Sequence, residues 1–150
     1  AVEAYRERFG VIGWQENILF DGVPELLAAL RNAGRKIAIA SSKPTVFVQK
    51  ILHMFEIERY FDVVSGASLD GSIGTKAQVV QQALDAFSVS DLKTAVLVGD
   101  RFHDVEGARA CGLDCIGLTL GFGGREELET AGASAVVSSL EELRGILLAG

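Results

Sequence analysis

The run Ala95-Val96-Leu97-Val98 is apolar at every position and closes on Gly99-Asp100; no other feature narrows the fold as far. A strand with one face in water alternates apolar and polar residues, so a strand without alternation is buried on both faces. Such strands belong to parallel sheets with helices packed above and below. The rest of the chain keeps the same rhythm. Residues 36–40, 62–65 and 114–118 predict further short strands, with another near Ala135-Val136-Val137. Between them lie helical patterns: Pro24 opens one that carries Leu26, Leu27 and Leu30 and stops at Gly34. Pro44 opens a second with Phe47, Ile51, Leu52 and Phe55 on one face, and Thr75 caps a third with Val79, Val80, Ala83, Leu84 and Phe87. Helices are also expected at 104–110 and 125–131, and at the end of the chain around Leu140, Leu143, Ile146 and Leu147. Strands alternating with helices predict an α/β fold: a mostly parallel sheet joined by right-handed crossovers.

At the other end, residues 2–9 read as the end of a charged helix closed by Gly10, and residues 13–22 as a connector. The 150 residues suit one domain with a real core, 49% of them hydrophobic. With 14 basic against 20 acidic side chains the formal charge is −6, so no footprint for a nucleic acid polymer is expected. No apolar stretch approaches the roughly 20 residues that span a bilayer. Cys111 and Cys115 read as packing residues of a reduced, cytoplasmic protein, since two cysteines and two histidines make a poor zinc set.

In open parallel sheets ligands bind beyond the carboxyl ends of the strands, and three such places carry polar groups. Ser41-Ser42-Lys43 follows the first predicted strand, where a hydroxyl and the free N–H groups of a helix start form an anion-binding corner. Alone, such a serine before a helix is usually just a cap. Lys76 stands in the first turn of its helix, where the dipole disfavours a cation; an adjacent anion or exposure to water would remove the conflict. Asp100 and Asp104 put two carboxylates at one strand mouth, an oxygen set suited to Mg²⁺. Asp104 alone could serve as a helix cap, but that leaves Asp100 unexplained at a buried strand end.

In this order the segments Ile39-Ala40-Ser41-Ser42-Lys43-Pro44, Thr75-Lys76 and Gly99-Asp100 to Asp104 resemble motifs two, three and four of the haloacid-dehalogenase-like hydrolases, in particular the phosphoglycolate-phosphatase-like branch. Gly22-Val23-Pro24-Glu25-Leu26-Leu27, Leu69-Asp70-Gly71-Ser72, and Gly121-Phe122-Gly123 with Glu126-Glu127-Leu128 agree with that branch. The resemblance implies a Rossmann-like core and a phosphatase acting on a small phosphorylated metabolite, phosphoglycolate- or 5′-nucleotide-like. It implies that Ser41, Ser42 and Lys76 hold the phosphoryl group and that Asp100 and Asp104 hold Mg²⁺. It further implies a reaction through an aspartyl-phosphate.

Motif one, the Asp-x-Asp strand that supplies the nucleophile in that family, is absent. Asp21, in Leu19-Phe20-Asp21-Gly22-Val23, matches the return from cap to core and is expected to be a linker residue. The expectation is therefore a remnant of a helical cap at 1–13 and a core lacking its first strand at 14–150. The nucleophile would lie in a missing N-terminal segment, and turnover by this chain alone would be small. The alternative is a non-catalytic phosphate-binding module of the same fold. Arg101 and His103 flank the metal loop, where they could touch a substrate or balance charge.

Overall fold

The computed structural model describes residues 7–9, 22–89, 91–119 and 124–149. Six strands, β1 (Glu7–Phe9), β2 (Ile37–Pro44), β3 (Val63–Ala67), β4 (Val96–Gly99), β5 (Asp114–Leu118) and β6 (Ala135–Val137), form one sheet in the order β3-β2-β1-β4-β5-β6. Every pairing in it is parallel. The helices are α1 (Val23–Asn32), α2 (Thr45–Met54), α3 (Lys76–Ala86), α4 (Phe102–Ala110), α5 (Arg125–Ala131) and α6 (Leu140–Leu148). The expected α/β sheet is thus present, with the strands and helices close to where periodicity put them.

The two-residue period of the strands sorts the core into layers. Ile37, Ile39, Val98, Ile116 and Leu118 pack against Leu26, Leu27 and Leu30 of α1, Val48, Ile51 and Leu52 of α2, and Leu143 and Leu147 of α6. On the opposite face, Ala40, Leu97 and Cys115 meet Val79, Val80 and Leu84 of α3, Val105 and Ala108 of α4, and Leu128 of α5. This second face is built from smaller strand residues. Gly117 belongs to it, and a Cβ there would stand 2.9 Å from a Leu128 methyl.

The structure corrects the reading of residues 2–9 as helix at its described residues, 7–9. Glu7–Phe9 is a strand between β2 and β4, with Phe9 level with Ile39 on one side and Val98 on the other. Two buried strands with nothing between them would leave a row of ladder N–H and C=O groups unpaired, and a segment that satisfies both rows outweighs local helix propensity. The rest of the proposed cap remnant, the connector with Asp21, and Gly121-Phe122-Gly123 lie outside the described residues.

Cys111 and Cys115 are free thiols. Burial pushes Cys115 up to about 12 and raises Cys111 as well, so neither forms much thiolate near neutral pH. Native protein at pH 7.5 is expected to react with a thiol-specific alkylating reagent far more slowly at Cys115 than after unfolding. Peptide-level mass spectrometry reads this out, and equal rates in both states would contradict the packing.

Candidate active site

Strand register sets the frame of the site. Because Ile39 and Val98 both pair with Phe9, Ser41 and Asp100 each stand two residues beyond the same level. They flank the central strand at the carboxyl edge, two strand spacings or about 10 Å apart along the sheet. Both are buried. Ser41 lies in the part of β2 where the register against β3 shifts, between Ala40 and Pro44. Its hydroxyl accepts a hydrogen bond from the Lys43 N–H at 3.1 Å, which holds the corner in shape ahead of α2. Ser42 is exposed.

Lys76 is the first residue of α3. Its helix start is fixed by a reciprocal cap: Gln78 N–H donates to Thr75 Oγ1 at 3.2 Å, and Thr75 N–H donates to Gln78 Oε1 at 3.0 Å. From there the side chain runs inward until only 5% of it is exposed. The ammonium donates to the Ala40 carbonyl at 3.1 Å and pairs with Asp104 Oδ1 at 2.9 Å. The conflict between a cation and a helix N-terminus is resolved by an adjacent anion rather than by water.

Asp104 spends its other oxygen on the loop. Oδ2 accepts from the N–H of Asp100 at 3.1 Å and from the N–H of Arg101 at 3.2 Å. Gly99 makes this possible, since a Cβ there would sit 2.7 Å from both Cγ and Oδ2 of Asp104. Asp104 therefore acts as the helix-capping group that its position suggested, and at the same time bonds to Lys76. The structure brings Lys76, Asp104, Asp100 and the Ala40–Ser41 stretch of β2 into one cluster. Ser42 stands at its exposed margin.

The donors fit magnesium better than zinc. Two carboxylates stand at one strand mouth, and among the described residues no group of three or more His, Cys, Asp or Glu side chains could enclose a metal. Mg²⁺ keeps several waters and takes one or two protein carboxylates. The Asp104 carboxylate is engaged by Lys76 and by the loop N–H groups, and Asp100 stands buried beside it at the same strand mouth.

Glu127 is a contributor for which residue-by-residue reading found no role. On the first turn of α5, its Oε2 accepts from Arg101 Nε at 2.8 Å and from the N–H of Phe102 at 2.9 Å. It thus ties α5 to the first turn of α4. The one signal in the sequence was a pair of acidic residues opening a helix after a Gly-rich loop. Arg101, one of two residues that could have met a substrate, is here a charge partner. Its hydrogen bond holds the Glu127 carboxyl below the ordinary value of 4.5, assisted by the Phe102 N–H. A carboxylate depressed in the folded state adds stability that is complete above its ordinary value and is lost as pH falls through the folded one. Glu127→Gln is therefore expected to lower the melting temperature at pH 7 and to lower it less as pH drops below about 4.5, the ordinary value. Thermal scans from pH 3 to 7 check this, and a pH-independent difference would contradict the tie.

Residues 1–112 match the model of a hydrolase family described as haloacid dehalogenase-like hydrolase. A 5′-nucleotidase of Pseudomonas aeruginosa is 40% identical over 147 residues, which cover 98% of this chain and 66% of that protein. The tyrosine-protein kinase PtkA of Mycobacterium tuberculosis is also 40% identical, over 149 residues, covering 98% of this chain and 51% of its own length. Phosphoglycolate phosphatases stand among the further relatives. Among solved structures, a predicted phosphatase from Clostridium acetobutylicum superposes with a TM-score of 0.83 at 42% identity, over 86% of this chain and 59% of that one. The chain spans about half to two thirds of the length of the relatives it matches. Among the described residues no helix is long and apolar enough to cross a membrane.

Proposed function

Because this chain belongs to the haloacid dehalogenase-like hydrolases, we propose that it is the greater part of the core of a magnesium-dependent phosphatase acting on a small phosphomonoester. One observation carries the reading: the Lys76 ammonium touches the Ala40 carbonyl beside Ser41 and the Asp104 carboxylate, so one cation links β2 to the helix that follows β4. A phosphoryl group seated there would have the Ser41 hydroxyl and Ser42 N–H on one side and Lys76 on the other. Bound Mg²⁺ would neutralise phosphoryl charge and polarise the transferring group. Asp100 would hold the ion directly, and Asp104 would reach it through water.

No Asp or Glu occurs from residue 10 to residue 15, the stretch just after the central strand. The attacking carboxylate, and the aspartyl-phosphate it forms, would come from a segment outside these residues. That segment is then the partner this chain needs for turnover. The relatives named for 5′-nucleotides and phosphoglycolate support a small phosphorylated metabolite as substrate. The test is to supply an N-terminal Asp-x-Asp strand segment, which would have to take the slot between β2 and β4 that Glu7–Phe9 fills here, and to assay phosphoglycolate and 5′-nucleotides. Hydrolysis that needs Mg²⁺ and is lost in Lys76→Met is the expected result. A completed protein that binds inorganic phosphate but hydrolyses none of these would favour the second reading, a phosphate-binding module without catalysis. That reading draws its support from the missing carboxylate after Phe9.

A further inference from the structure

We propose that Gly107 is the positioning residue of Lys76: by lacking a side chain it forms the trough through which the lysine crosses α4 to reach Asp104. Gly107 is buried in the interior of α4, a place where glycine weakens a helix relative to alanine. Local structure gives no reason for it, because the helix continues past it without a break to Ala110. The reason lies across the helix interface. A Cβ at position 107 would stand 2.5 Å from Lys76 Cγ, 2.9 Å from Lys76 Cβ and 3.2 Å from the Ala77 nitrogen.

These atoms cannot step aside cheaply. Cγ is the root of the lysine side chain, so moving it carries the ammonium away from both Asp104 Oδ1 and the Ala40 carbonyl. Separating the helices instead would strain a second tie: the Cys111 thiol donates to the Ala77 carbonyl at 3.3 Å. Asp104, Gly107 and Cys111 fall at i, i+3 and i+7 on one stripe of α4. The stripe takes the lysine head, the lysine stem and the following backbone in turn.

The functional half of this inference rests on Lys76 being the phosphate-binding cation of the proposed function. The steric half does not, and the experiment separates them. Gly107→Ala is made in the native chain and in Lys76→Gly, which removes both lysine atoms that the new methyl would meet. Thermal unfolding is expected to show a lower melting temperature for Gly107→Ala alone and a much smaller loss, or a gain, when the same change is added to Lys76→Gly, where helix propensity is set only against the 3.2 Å approach to the Ala77 nitrogen. Failure of the single variant to fold, with recovery in the double variant, would show the same trough. A change of the same sign and size in both backgrounds would overturn it.

Titration with inorganic phosphate in Mg²⁺ reads the functional half. Binding is expected to weaken at least tenfold in Gly107→Ala, and the double variant should bind no more weakly than Lys76→Gly alone. Losses that multiply would overturn the positioning role. If the native chain takes up no phosphate, the functional half fails together with the proposed function, while the unfolding cycle still decides the trough.

Discussion

Replacing Lys76 with Met is expected to lower the stability of the chain by roughly 3–5 kcal/mol, the usual cost of leaving one member of a buried ion pair without the other. The size follows from burial. The two side chains are 5% and 1% exposed, so water cannot take over the solvation of the Asp104 carboxylate once the ammonium is gone. Asp104 also holds the N–H groups of Asp100 and Arg101, so its discomfort spreads to the loop. Adding Asp104→Asn removes the stranded charge and should recover a substantial part of the loss, because an amide oxygen can still accept from the loop. Urea denaturation of the two single variants and the double variant measures this as a coupling energy. Additive single effects would mean that the pair contributes nothing specific.

The second large effect concerns the metal. Asp100→Asn is expected to weaken Mg²⁺ binding by more than about 100-fold, since even outer-shell changes commonly cost 10–100-fold. Asn keeps the size of Asp100 and the backbone bonds from Asp100 and Arg101 to Asp104, and thermal unfolding of the variant checks its fold. Isothermal titration with Mg²⁺ alone reads the affinity without any need for turnover. In a protein completed by its N-terminal strand, hydrolysis should fall by about 10²–10³-fold, the range seen when one preorganised electrostatic contact is removed. Unchanged Mg²⁺ affinity would remove Asp100 from the metal site.

Much of this was legible in the sequence because strand burial leaves a direct imprint. β4 is apolar along its whole length, and its burial between two helical layers follows from that alone. Ser41, Lys76, Asp100 and Asp104 could be singled out because each is a polar residue where an apolar strand ends or the following helix begins. What spacing could not convey is who meets whom. Lys76 and Asp104 are 28 positions apart (104 − 76), and only the packing of α3 on α4 turns a cation with a dipole problem into half of an ion pair. Glu127 escaped for the same reason, as its partners lie on another helix. The misread segment, Glu7–Phe9, has charged residues that favour a solvated helix locally. Its strand conformation is dictated by the open ladders of β2 and β4, which no local window contains.

The unequal faces of the sheet carry a consequence for how this chain can vary. Where Ile37, Ile39 and Ile116 meet α1, α2 and α6, trimming a side chain leaves a void on the face opposite α3 and Lys76, and its effect should be confined to stability. Where Ala40 and Gly117 meet α3, α4 and α5, there is no slack to lose, and any added methyl pushes on helices that hold Lys76, Asp104 and Glu127. A scan of all single substitutions should therefore separate by face: on the first, shrinkage would be the damaging direction and would cost only abundance. On the second, growth would be damaging, and it would cost ligand affinity in molecules that still fold.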